Sequence, residues 1–177
     1  LGLLALSAAK NLKLKTITSV DINKSKLEFS KKLGSNYCVN FNDKDFEKKI
    51  YKILGNRGYD HIFDFSGNKN VQQKCIKFLN KSVPGYKRGG SFGIAGFHYN
   101  NLKKSPKELL MYENSIYGIR GGSAILSKDL PLIYSHIKKK KLRVNKIITD
   151  EFELKDINIA IRKLKKGLIK GRAVIKI

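Results

Sequence analysis

The sequence predicts an α/β fold built on a doubly wound parallel sheet, and three observations carry that expectation. Through the first two thirds, short β-branched or aromatic runs alternate with stretches of helical period. Such strand–helix–strand repetition implies parallel strands joined by right-handed crossovers. Residues suited to starting and stopping helices stand at the joints, among them Asn23, Gly34 and Asp43. The last third departs from this rhythm, with two helices and one closing strand.

Taken in order, an apolar helix is expected over about 3–12, followed by a strand at 16–21, Thr-Ile-Thr-Ser-Val-Asp. Asn23 or Ser25 starts a second helix, which carries Leu27, Phe29 and Leu33 and stops at Gly34. A strand at 36–40 is centred on Tyr37, Cys38 and Val39. Asp43 caps the next helix, in which Phe46, Ile50, Ile53 and Leu54 recur at helical spacing. Residues 60–65 form the following strand, Ser66-Gly67-Asn68 turns the chain, and a helix covers about 71–79. The segment 81–88, with Pro84 and Gly85, is a polar excursion before a strand at 90–95. A short helix near 106–111 leads to a strand at 115–119. In the tail, Ser127 caps a helix to about Lys140, a turn spans 144–149, Leu154-Lys155-Asp156 begins a helix ending near Gly167, and residues 172–177 form the last strand.

Composition bounds the function. The 177 residues suffice for one domain or slightly more, and 41% hydrophobic content is ordinary for a soluble protein. The chain begins at Leu1 and its single methionine is Met111, so a piece of a longer protein is expected. The opening Leu1-Gly-Leu-Leu-Ala-Leu-Ser-Ala-Ala9 lacks a basic leader and is too short to span a bilayer, which argues against export and against a membrane partner. Lysine and arginine total 37 against 14 acids, a net charge of +23. Such an excess can signal nucleic acid. Here Lys10, Lys13, Lys24, Lys26, Lys31, Lys32, Lys48 and Lys49 are dispersed along helices, as on solvated faces, and no RNA-binding signature accompanies them. The run Lys138 to Lys141 falls at a helix end, where cations favour the dipole. Cys38 and Cys75 have no metal-type spacing and read as buried thiols of a cytoplasmic protein. His61, His98 and His136 are scattered, so no metal site is expected within this chain.

One spacing carries chemistry. Gly2 opens the first helix and Asp21 closes the following strand, 19 positions on. This is the second half of the Rossmann-type G-x-G-x-x-G fingerprint, whose acidic residue follows about 20 positions later. The earlier glycines and the strand before them are not in the chain. A glycine at a helix N-terminus lets a pyrophosphate approach backbone N–H groups at the positive end of the dipole. A carboxylate after the second strand accepts bonds from ribose hydroxyls and repels a 2′-phosphate, which selects NAD over NADP. The bland alternatives are a glycine that merely precedes a helix and an Asp21 that merely caps one.

Longer motifs make the reading more specific. The stretch Ser-Val-Asp21-Ile-Asn-Lys-Ser-Lys-Leu, then Lys-Lys-Leu-Gly34-Ser-Asn, resembles the coenzyme domain of medium-chain, zinc-type alcohol dehydrogenases. The likeness continues through Phe63-Asp-Phe-Ser-Gly67, Gly93-Ile-Ala-Gly96, Tyr117-Gly-Ile-Arg-Gly-Gly122, the segment 147–158 and Gly171-Arg-Ala-Val-Ile, essentially the whole chain. The resemblance implies an NAD-dependent alcohol dehydrogenase that moves hydride between an alcohol and the coenzyme. It implies an incomplete Rossmann domain at 1–125, lacking its first strand, and C-terminal helices and a strand at 126–177 that partly pack on an absent catalytic domain. Zinc is expected only in that absent domain. Lys26 would reach the adenosine ribose beside Asp21, and Phe65 and Ser66 would lie near the nicotinamide ribose. Ala95, Gly96 and Phe97 would flank the nicotinamide. Gly118, Ile119 and Arg120 would offer backbone groups to its carboxamide, although Arg120 replaces an expected apolar residue. Arg172 would bind the pyrophosphate. The partners implied are a small alcohol or aldehyde and further copies of the chain, joined near 115–119. Without its first strand and catalytic domain, the 177-residue polypeptide is expected to be unstable and unable to transfer hydride. A zinc-free quinone reductase relative, usually NADPH-preferring, is the second reading; a basic nucleic-acid-binding protein and a methyltransferase are further ones.

Overall fold

The computed structural model describes residues 1–55, 57–97, 105–142 and 144–177; His98 lies outside them. The first elements are α1 (Gly2–Asn11), β1 (Thr18–Asp21), α2 (Lys24–Leu33), β2 (Tyr37–Asn40), α3 (Phe46–Leu54) and β3 (His61–Asp64). There follow α4 (Lys69–Cys75), β4 (Ser91–Ile94), α5 (Pro106–Tyr112) and β5 (Ser115–Gly118). The tail holds α6 (Leu126–Lys138), β6 (Ile148–Glu153), α7 (Ile157–Lys165) and β7 (Arg172–Lys176).

Every strand ladder is parallel: β1 with β2, β3 with β4 and β4 with β5, and β6 with β7. The strands form one pair, β1–β2, one triplet, β3–β4–β5, and a second pair, β6–β7.

Contacts divide the chain into two compact units, one of Leu1–Phe46 with Ile125–Ile177 and one of Glu47–Ala124. In the first, Leu6, Leu27, Val39, Phe46, Ile147, Ala160 and Ile169 are buried. Asn23 caps α2, and Gly34 closes it at φ 117, a left-handed conformation that favours glycine. In the second unit, Ile76, Leu79 and the fully buried Phe92 form the core, with Ile62, Cys75, Ile94 and Ile116 packed around it. Burying a side chain such as Phe92 is worth roughly 2–3 kcal/mol. The excursion at 81–88 closes on itself as a tight turn. Val83 C=O accepts from Tyr86 N–H at 2.9 Å, with Pro84 second and Gly85 third at φ 75, the type II pattern.

Three boundaries differ from the sequence reading. The helix expected at 71–79 begins at Lys69, because the Asn68 side chain accepts from Asn70 and Val71 N–H, and it ends in a 3₁₀ turn at Ile76–Phe78. Ser127 does not cap α6; Ile125 holds that position, and its N–H donates to the Asp129 carboxylate at 2.7 Å. Most of the expected turn at 144–149 is a 3₁₀ turn, Val144–Ile147, after which β6 runs on to Glu153. The acidic residues Asp150, Glu151 and Glu153 masked that strand in the sequence, and its partner β7 lies far along the chain.

Candidate functional site

In the first unit, the candidate residues gather at the carboxyl end of β1 and the start of α1. Gly2 is the first residue of α1, and the Leu1 carbonyl before it accepts from Leu4 and Ala5 N–H. The leading amides of the helix have no intrahelical partner, which leaves a positive pole there. Asp21 is the last residue of β1, in register with Asn40. Its Oδ1 accepts from Asn23 N–H at 2.9 Å, which fixes the carboxylate. The cap of α2 is Asn23, so Asp21 is not occupied as a helix cap.

Lys26 lies in the first turn of α2, where its N–H donates to the Asn23 side chain. Arg172 is the exposed first residue of β7. The first unit thus holds Gly2, Asp21, Lys26 and Arg172, with Asp21 and Lys26 joined through Asn23. That set offers a carboxylate for hydroxyl donors and two cations plus a helix N-terminus for a diphosphate.

In the second unit, the candidate residues follow the carboxyl ends of β3, β4 and β5, where open α/β sheets bind ligands. Asp64, at the end of β3, is buried and organises the turn after it. Its Oδ1 accepts from Ser66 N–H (3.0 Å) and the Ser66 hydroxyl (2.6 Å). Its Oδ2 accepts from Gly67 N–H (3.2 Å) and from the Gln72 amide (2.6 Å). The Asp64 carbonyl accepts from both Ala95 and Gly96 N–H, each at 2.9 Å, and so joins the ends of β3 and β4.

The backbones touch at that junction. A Cβ on Gly96 would lie 2.2 Å from Gly67 N, and one on Gly67 would lie 2.4 Å from the Phe97 carbonyl oxygen. Only hydrogen fits at either place. Phe65 stacks on Phe63 with ring centroids 6.5 Å apart, and Phe97 is exposed. Just after β5, Ile119 N–H donates to the Ile94 carbonyl at 2.8 Å, and the Arg120 carbonyl accepts from Ser123 N–H at 2.9 Å. Gly118 has open space where a Cβ would be.

Sequence reasoning named the motif around Phe63 and Gly67 but not Asp64, the residue that holds it. The signal was present: an aspartate two before a serine and three before a glycine is the spacing of a carboxylate that folds a turn onto itself. Asn23 was read only as a helix start. Cys75 lies near Asp64; burial first, then the Asp64 charge, push its thiol up to about 12 from an ordinary 9.0, against a smaller opposing effect of Lys74. Such a thiol is inert at neutral pH. Among the described residues, no three of His, Cys, Asp and Glu cluster to hold a metal ion, and no helix is long and apolar enough to cross a membrane.

Residues 1–138 match the sequence family described as zinc-binding dehydrogenase. Sorbitol dehydrogenase of Bacillus subtilis is 26% identical over 163 residues, covering 92% of this chain and 43% of that protein. Alcohol dehydrogenase 2 of Oryza sativa subsp. japonica is 28% identical over 170 residues, covering 94% and 43%. The chain thus spans less than half the length of these curated relatives. Among solved structures, benzyl alcohol dehydrogenase from Acinetobacter calcoaceticus superposes with a TM-score of 0.86 at 24% identity, over 99% of this chain and 46% of that one. That likeness establishes the fold.

Proposed function

The chain belongs to the zinc-binding dehydrogenase family, and on that premise we propose that it is the NAD-binding part of an NAD-dependent alcohol dehydrogenase. The observation that carries the proposal is the carboxylate of Asp21, fixed after β1, in the same unit as Gly2, Lys26 and Arg172. The donor set fits the coenzyme: Asp21 for the adenosine ribose diol, and Gly2, Lys26 and Arg172 for ribose and diphosphate oxygens. Asp21 Oδ1 is held by Asn23 N–H. A 2′-phosphate would meet that carboxylate as a like charge.

In the second unit, Phe65 and Ser66 position the nicotinamide ribose. Ala95, Gly96 and Phe97 line the ring, and backbone groups of Gly118, Ile119 and Arg120 hold its carboxamide. When bound, the coenzyme supplies the hydride acceptor, and the protein supplies orientation. The described residues offer no cluster of His, Cys, Asp and Glu that could hold zinc. The alcohol substrate is inferred from the named relatives. The same reading divides the chain into a coenzyme domain at 1–125 and a C-terminal part at 126–177 that packs partly on a catalytic domain. It places the protein in the cytoplasm and joins copies through β5, whose strand neighbour among the described residues is β4.

Titration calorimetry with NAD and NADP tests the proposal. Binding of NAD at least ten-fold tighter than NADP is expected. No heat with either coenzyme ends the reading, and a preference for NADPH moves it to the quinone reductase alternative.

A further inference from the structure

Asn23 carries more bonds than a helix cap needs. Its Oδ1 accepts from Ser25 N–H (2.9 Å), the Ser25 hydroxyl (2.8 Å) and Lys26 N–H (3.4 Å), while its own N–H donates to Asp21. Its Nδ2 then donates to the Gly167 carbonyl at 3.1 Å, 144 residues along the chain. Gly167 is itself held fast. It ends α7 at φ 68, its N–H bonds the Leu164 carbonyl, and Leu168 N–H bonds that of Lys163, the doubly bonded glycine stop of a helix. Five residues further on, Arg172 begins β7.

We propose that Asn23 is a positioning residue: one side-chain amide sets Asp21 and Lys26 and latches to them the Gly167 turn that delivers Arg172. The inference rests on the coenzyme reading above and deepens it. The chemistry singles out asparagine. Ser, Thr and Asp cap helices as well as Asn does, but among these only Asn pairs the capping oxygen with an N–H₂ donor that reaches a second backbone. The bond fixes two rigid ends, the start of α2 and the stop of α7, in one register. The carboxylate for the adenosine ribose and the arginine for the diphosphate are thereby held as one unit before coenzyme arrives, which lowers the ordering cost of binding.

The test uses the protein as its gene encodes it and NAD as the probe. Asn23→Ser keeps a neutral capping oxygen and removes the donor to Gly167. It should lower the denaturant midpoint by no more than the loss of one hydrogen bond, exchange the amides of residues 168–172 several-fold faster, and raise KM for NAD about 3- to 10-fold with kcat unchanged. Should Asn23→Ser lower the midpoint further, Asn23→Asp, read at high salt to screen its charge, provides the same cap without the donor. Unchanged exchange at 168–172 with unchanged KM overturns the latch, as does an equal loss of kcat. A wild type that binds no NAD overturns the coenzyme reading instead, and the exchange arm still reports whether the latch exists.

Discussion

Gln72, fully buried on α4, donates its side-chain amide to Asp64 Oδ2 at 2.6 Å, while its own Oε1 has no partner among the described residues. A structure tolerates an unpaired buried carbonyl only where the rest of the group does something needed. Here the amide completes a set of four donors around one carboxylate, and that set shapes the turn carrying Phe65 and Ser66. Asp64→Ala would leave those donors without their acceptor. A loss of ~2–4 kcal/mol in unfolding free energy is expected, measured by denaturant titration. A loss below ~1 kcal/mol would remove Asp64 from its organising role.

Asp21→Ala should weaken NAD binding by ~1.5–3 kcal/mol, the range for a hydrogen bond to a charged group, and narrow the gap between NAD and NADP. Calorimetry with both coenzymes reads the two effects separately. Unchanged preference would take Asp21 out of the site.

Arg172→Gln should also weaken NAD, with a different signature. Because Arg172 is exposed, its attraction for a diphosphate is screened, so the difference from wild type should shrink as salt rises. A deficit independent of salt would point to a packing role.

Gly96 and Gly118 make a matched pair. A Cβ on Gly96 meets backbone at 2.2 Å and Asp64 Oδ2 at 2.8 Å, whereas one on Gly118 meets nothing within 4 Å. Gly96→Ala is expected to cost ~1–3 kcal/mol through forced displacement of the β3 turn. Gly118→Ala should be neutral or up to ~1 kcal/mol stabilising. Equal effects would contradict the close approach at Gly96.

Cys75 sets an alkaline limit on stability. Its folded pKa, about 12, lies above the ordinary 9.0, so between these values the folded state keeps a proton that the unfolded chain releases. Its contribution is complete below pH 9 and is lost as pH rises toward 12. Denaturation across that window should show a decline that Cys75→Ala flattens, and alkylation of native protein at neutral pH should spare Cys75.

The alternating strands and helices were legible because each is a local pattern: Leu27, Phe29 and Leu33 at helical spacing, or Gly34 where α2 must stop. The place of Asp21 at the end of β1 was legible because the strand before it is a local pattern. What escaped depends on distant partners. β6 places Phe152 among acids and is a strand because β7 lies beside it. Asp64 shows its role only when Gly67, Gln72 and the end of β4 are in view, and Asn23 only when Gly167 is. Ser127 was misjudged for a related reason: Asp129 reaches back to Ile125, a bond that a cap-residue rule does not foresee.

The turn from Val83 to Tyr86 is self-contained: Val83 and Lys87 exchange two backbone bonds, and Tyr86 projects into solvent. A closure that depends on its own few residues insulates its tip from the rest of the polypeptide. A peptide tag spliced between Gly85 and Tyr86 would add only loop entropy, ~0.6 kcal/mol per doubling of length, with Val83 and Lys87 left as the stem. That makes the tip a natural handle for immobilising or labelling the molecule.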